Sequence, residues 1–331
     1  MEFSNMTTSL YPLALTSFFK TVIWGGRKLE TVFHRTLPDD HSPVGEAWEI
    51  CERPEFSSCV LNGPLKGRTL GSLIEEFGAG LLGSRVNGSR FPLLVKILDA
   101  RDRLSLQVHP DEAACARLGG EAEPKTEMWY VIGADPGAKI VAGVAPDASP
   151  DAFWPNVNSA DIEKQLHVYD AQAGDVFFIR AGCVHAIGGG NLILEVQQNS
   201  DTTYRISDWG RLGADGKPRA LHVDQARECV NFAMREEPLV SRRRTADGIV
   251  PLVRCSFFQA DEITLSEPLD MPSPDGLSFH LISSVFGALT LSCGPEKLRI
   301  EPGSSILIPA SCGPYKLNPE NGRAIVMKTW I

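Results

Sequence analysis

Short runs rich in Val, Ile, Leu and aromatic residues recur along the whole chain, each closed off by Gly, Pro or Asp. This pattern confines the chain to a mainly β architecture. The runs cover 45–50, 91–98, 104–109, 127–133, 138–142, 175–180, 192–198 and 203–206. They resume at 251–258, 278–285, 288–293, 297–301, 304–309 and 324–329. Evenly spaced short strands with turn residues between them predict a sandwich or barrel. Helical periodicity is confined to three places. Thr69 offers a cap to a segment whose apolar positions Leu70, Leu73, Ile74 and Phe77 share one face. A second helix is expected from Pro110–Asp111 to Gly119–Gly120, and a weaker one near 159–166.

The 331 residues leave room for one large or two modest domains. Residues 235–249 are polar and basic with Pro238 near their start, which reads as a solvated connection. Before it lies Gln172-Ala-Gly-Asp-Val-Phe-Phe-Ile-Arg180, and after it Glu301-Pro-Gly-Ser-Ser-Ile-Leu-Ile-Pro309. Both read as a glycine turn feeding a strand, a weak internal repeat that suggests two barrels of one type. The expected organisation is a catalytic domain over 1–234, carrying N-terminal strands and a small helical insertion. A crossover follows at 235–250, then a second β domain at 251–331.

Composition narrows the partners. A formal charge of −9 and a pI near 5.4 argue against nucleic acid or an anionic membrane, because both demand a basic face. An anionic small molecule remains compatible if Lys and Arg cluster locally. The eight cysteines form no CxxC pair and read as small buried residues of a reducing compartment. Residues 11–25 carry Pro12 and Lys20 and are too short and interrupted for a signal or a span. The expectation is a soluble, cytoplasmic protein, monomeric or homodimeric.

Chemistry concentrates in three segments. In Leu104-Ser-Leu-Gln-Val-His-Pro110, alternation puts Ser105, Gln107 and His109 on one strand face and Leu104, Leu106 and Val108 on the other. Lys125-Thr-Glu127 repeats the spacing, and His185 follows a strand in Ala181-Gly-Cys-Val-His185. One amide, two imidazoles and one carboxylate form a mixed N/O donor set suited best to Zn²⁺, with Mn²⁺, Fe²⁺ or Co²⁺ as substitutes. Taken singly, such a His or Gln is usually solvated or capped. His34, His41, His167, His222 and His280 lack companions at ligand spacing and read as surface or capped residues. Lys96 interrupts an otherwise apolar run, 91–98, so its ammonium must reach a partner or a cavity.

These segments, with Trp24-Gly-Gly, Gly45-Glu-Ala-Trp-Glu-Ile and Leu194-Glu-Val-Gln-Gln-Asn-Ser-Asp-Thr-Thr-Tyr-Arg-Ile-Ser-Asp-Trp-Gly-Arg211, resemble type I mannose-6-phosphate isomerases of the short bacterial form, within the cupin superfamily. The resemblance is clear over roughly residues 10–225 and looser beyond. It implies two cupin-type jelly-roll barrels with a few short helices, and one divalent metal, Zn²⁺ first, at Gln107, His109, Glu127 and His185. It implies an aldose–ketose isomerase that interconverts mannose 6-phosphate and fructose 6-phosphate by ring opening and C1–C2 proton transfer through an enediol. A related sugar isomerase of other specificity, or a non-catalytic sugar-binding cupin, are the alternatives. Arg205 matches the family's catalytic arginine, while Lys96 and Ser105 match its phosphate contacts. Lys125 is placed to meet an anion or a sugar hydroxyl. Glu195 and Asp201 are candidate proton carriers, with His109 and a metal-bound water as rivals. Trp24, and to a lesser degree Trp209, could line the sugar face. Ala181 stands where the family commonly has proline. Ser311-Cys-Gly-Pro-Tyr315 of the second half has no histidine, so that barrel is expected to be metal-free.

Overall fold

The structure, a computed structural model, describes residues 9–213, 215–234, 236–241 and 247–331. The chain is mainly β and comprises two compact units, each assembled from separate segments. One contains residues 18–48 and 93–244. The other contains 1–17, 49–92 and 245–331. Contacts therefore do not follow a single cut near residue 235: the helical insertion, Leu70–Phe77 and Ala79–Leu82, groups with the C-terminal strands.

In the first unit a seven-stranded antiparallel sheet runs in the order Leu239–Ser241, Val176–Ile179, Glu127–Ala134, Asn191–Gln198, Leu93–Ala100, Phe18–Gly26, Val44–Ile50. A five-stranded sheet runs Leu166–Asp170, Lys139–Val144, His185–Ile187, Leu106–Val108, Tyr204–Ser207. Strand Leu93–Ala100 is buried along its whole length, as the unbroken apolar run required. One core cluster joins residues of both sheets, including Trp24, Trp129, Phe177 and Ile187. The Trp24-Gly-Gly motif has a steric origin. A Cβ on Gly25 would lie 2.5 Å from the backbone nitrogen of Gly45, and one on Gly26 would meet the Asp99 carboxylate. That carboxylate accepts the Lys28 N–H at 2.5 Å, capping the short helix Lys28–Thr31.

The second unit pairs a six-stranded sheet, Leu13–Ala14, Ser305–Ile308, His280–Phe286, Ala324–Trp330, Gln259–Leu265, Gly248–Arg254, with a four-stranded one. The internal repeat is carried in hydrogen bonds. The Gly174 N–H donates to Val131 O at 2.7 Å and Asp175 N–H to Gln172 O at 3.0 Å. In the second unit Gly303 N–H donates to Ser284 O at 2.7 Å and Ser304 N–H to Glu301 O at 3.0 Å. Both glycines are left-handed, φ 91° and 77°, the conformation that makes glycine necessary there.

Helices at Leu70–Phe77 and Glu112–Leu118 form where the caps predicted. Thr69 accepts the Ser72 N–H, and Asp111 the Ala114 N–H. The strand expected at 104–109 shortens to Leu106–Val108. Leu104, outside it, packs in the cluster with Trp24, not with Leu106 and Val108. Within the expected crossover, Leu239–Ser241 and Gly248–Arg254 are strands. The former adds to the catalytic sheet, with Leu239 opposite Phe177. Arg235 and 242–246, part of the expected crossover, lie outside the described residues. No helix among the described residues is long and apolar enough to cross a membrane.

Candidate active site and metal centre

Two cross-strand rows face each other inside the first unit. In the five-stranded sheet, His185 lies opposite Gln107 and Gln107 opposite Arg205. In the seven-stranded sheet, Trp129 lies opposite Glu195 and Glu195 opposite Lys96. Side chains opposite one another on antiparallel strands project to the same face. Strand register thus converts residues between 66 and 99 positions apart into neighbours.

His109, Glu127 and His185 are buried, and one donor atom of each lies within 4.8 Å of the other two. The Nδ1–H of His109 donates to Thr202 O at 2.9 Å, and that of His185 to Cys183 O at 2.9 Å. A carbonyl can only accept, so both rings keep their Nε2 lone pair for the cluster. These atoms stand 3.4 and 3.6 Å from the Glu127 carboxylate. Burial, then Lys125, pulls His109 down to about 3, and burial lowers His185 as well. Burial would raise Glu127, but Lys125 at 2.9 Å holds it well below the ordinary range. The result is an anionic carboxylate between two neutral imidazoles, the protonation state a metal requires. Both Glu127 oxygens are buried, and neither meets an aligned hydrogen-bond donor among the described residues. Gln107 adjoins the cluster: its amide nitrogen donates to the His185 Nε2 lone pair at 3.1 Å, and its Oε1 accepts from the Ser105 hydroxyl.

A cleft of about 340 Å³ adjoins this cluster through Gln107 and Lys125. Trp24, Lys96, Ser105, Glu195, Asp201 and Arg205 line it, as do Lys20, Glu46, Thr203 and Arg219, which the sequence reading missed. Glu46 lay in a quoted motif, but only strand pairing shows its carboxylate 3.7 Å from Lys96. Lys20 and Arg219 carried no local signal. The Lys96 ammonium sits 3.4 Å from Glu195. Burial opposes its charge, yet Glu195 and Glu46 outweigh burial and raise it. Glu195 is raised by burial and by the Glu127 charge, and accepts the Trp129 indole N–H at 3.0 Å. Asp201 is lowered, because Lys96 and Lys20 overcome its desolvation. Arg205 donates from Nη1 to Ala220 O at 2.7 Å, while its buried Nε has no partner among the described residues.

Trp209 departs from expectation. It does not line the cleft; its indole N–H donates to Leu104 O at 2.7 Å on the wall behind it. His280 departs as well, being buried in the second unit. Registers show which residues of that unit stand where the first unit has its charged row. His280 lies opposite Ile308 as Glu127 lies opposite Ile179. Lys328 lies opposite Ile282 as Glu195 opposite Trp129, and Asp261 opposite Lys328 as Lys96 opposite Glu195. The second barrel thus carries His for Glu, Lys for Glu and Asp for Lys.

Two jelly-roll barrels, one enclosing a buried His–Glu–His cluster beside a charged cleft, define a cupin enzyme with a candidate metal site. Residues 13–132 match the catalytic-domain model of type I phosphomannose isomerase. The mannose-6-phosphate isomerase of Streptococcus mutans is 36% identical over 300 residues, 90% of this chain and 92% of that protein. The crystal structure of mannose 6-phosphate isomerase from Bacillus subtilis is 32% identical, with a TM-score of 0.86 over 97% of this chain and 100% of that one. A mannose 6-phosphate isomerase solved with zinc and yttrium, 17% identical with a TM-score of 0.73, shares the fold. The chain belongs to the type I phosphomannose isomerase family.

Proposed function

We propose that this chain interconverts mannose 6-phosphate and fructose 6-phosphate, with one Zn²⁺ held by Gln107, His109, Glu127 and His185. The observation that carries the reading is the buried Glu127 carboxylate, unmet by an aligned donor and set between two neutral imidazoles. Two neutral imidazoles turned toward a buried carboxylate present a donor set, and a cation of borderline softness suits the donor types. A bound metal would supply Lewis-acid polarisation of sugar oxygens.

The protein's own groups do the rest. Ser105, Lys96 and Lys125 hold the sugar phosphate in the cleft against Trp24, and the Arg205 guanidinium meets the oxygen that gains charge as the enediolate forms. For the aldose-to-ketose direction, a proton leaves C2, one is delivered to C1, and the hydroxyl proton on O2 passes to O1. Glu195, raised toward neutrality, is suited to give and take a proton, whereas Asp201, held low, stays ionised and is the weaker base of the two.

A coupled assay for fructose 6-phosphate, run with chelator and then with Zn²⁺ restored, tests this. Turnover should vanish and return. Metal-replete protein that makes no fructose 6-phosphate would sink the proposal, and equal turnover of free mannose would remove the phosphate from it.

A further inference from the structure

Residues Asp208-Trp209-Gly210-Arg211 form a tight turn closed by Arg211 N–H donating to Asp208 O at 3.1 Å. Trp209 and Gly210 are both left-handed, φ 60° and 74°. Two consecutive left-handed residues mark a type I′ turn, whose first central position ordinarily takes Asn, Asp or Gly. A bulky tryptophan there is strained and persists only where its surroundings hold it. They do: the indole N–H bonds Leu104 O, and the Arg103 guanidinium lies 4.0 Å over the ring.

What the turn in turn holds lies at the cleft. The buried Asp208 carboxylate accepts from Arg219 Nε at 2.7 Å, Arg219 Nη2 at 2.6 Å and Arg211 Nη2 at 2.6 Å. Arg219 lines the cleft with Arg205 and Ser105. Leu104, whose carbonyl the indole grips, is the residue before Ser105. The strained turn therefore ties one guanidinium and one hydroxyl of the cleft to a single brace, while its own side chain stays outside.

We propose that Trp209 is a positioning residue, which through Asp208–Arg219 and Leu104–Ser105 sets the groups that receive the anionic end of the substrate. This rests on the sugar-phosphate reading above. Trp209→Phe removes the indole N–H and Asp208→Asn weakens the grip on Arg219. Both are read by KM and kcat for mannose 6-phosphate and, independently of turnover, by calorimetric binding of inorganic phosphate. Each variant should raise KM and weaken phosphate binding by roughly tenfold, the size of one misplaced charge-assisted hydrogen bond. Metal content and kcat should hold. In an Arg219→Gln background, Trp209→Phe should add less than it does alone. Arg103→Ala, which takes an exposed guanidinium from the ring face and with it an exposed ion pair to Glu163, should move both constants the same way by a smaller factor and is readable if the Trp209 variant does not fold. A fall in kcat or thermal stability with KM and phosphate affinity unchanged, or full additivity with Arg219→Gln, overturns the inference. Wild-type protein that binds no phosphate also overturns it. Wild-type protein that binds phosphate, and loses it in Trp209→Phe, yet turns over no mannose 6-phosphate, supports the brace and removes the isomerase reading instead.

Discussion

His185 and Arg205 share a row of the five-stranded sheet, each opposite Gln107, and their substitutions should separate. His185→Ala should lose its metal, measured by elemental analysis, and turnover with it. Arg205→Ala should keep the metal yet lose at least about a hundredfold in kcat, the scale of one missing charge-stabilising donor. Retained activity in either would overturn the assignment. Lys96 poses a different problem. It is buried between Glu46 and Glu195, so Lys96→Met would strand two carboxylates rather than merely delete an ion pair. The expected loss is about 3 kcal/mol in urea unfolding. A double change that also replaces Glu195 with Gln should recover part of it. The sequence showed that Lys96 needed a partner, because a lone ammonium in an apolar strand is costly. It could not show which partner, since Glu195 lies on a strand about a hundred residues away.

At the level of elements, sheet closure depends on close backbone approach as much as on apolar pattern. Gly25 faces the Gly45 backbone, where a methyl group would sit at 2.5 Å. Gly25→Ala must push the Phe18–Gly26 and Val44–Ile50 strands apart, carrying Trp24 and Glu46 with them. A loss of about 2 kcal/mol and a raised KM are expected, overpacking costs being of that order. Unchanged stability by denaturant titration would show that the two strands have slack. Strands with strong alternation or unbroken apolar runs were legible, whereas His185–Ile187 and Leu166–Asp170 were not. Their short sequences hold no periodicity to read: His185–Ile187 is a strand because neighbours on both sides supply hydrogen bonds, and Leu166–Asp170, at the sheet edge, because Lys139–Val144 does.

For the whole molecule, one metal per chain is expected. The second barrel puts His280, Lys328 and Asp261 where the first has Glu127, Glu195 and Lys96. Elemental analysis should find close to one equivalent, unchanged in His280→Gln. Two equivalents would contradict the division of labour. His280 is expected instead to contribute to acid stability. Its ring hydrogen-bonds the Tyr315 hydroxyl at 3.1 Å and meets Trp330 edge-on, with Lys328 acting on it and Asp261 and Arg254 acting in turn on Lys328. Burial, then Lys328, lowers it to about 3. The folded ring stays neutral while the unfolded one protonates near its ordinary 6.5. Its contribution is therefore whole above about pH 6.5 and drains away as the pH falls toward 3. Between about pH 6.5 and 4 this amounts to on the order of 3 kcal/mol. Urea titrations at both pH values should show a shallower loss in His280→Gln.

The sequence by itself determined the class of fold and the local pairs Gln107–His109 and Lys125–Glu127, and its family resemblance supplied the candidate metal ligands. Alternation and residue chemistry act within a few positions, so they can be read along the chain. Tertiary structure alone decided the rest. Register across two sheets brought Glu127 between His109 and His185 and recruited Lys20, Glu46 and Arg219 to the cleft. A left-handed turn carried Trp209 out of the sugar face and into the brace behind it. Long-range pairing is set by where hydrogen-bonded strands meet, and no spacing within a segment encodes that.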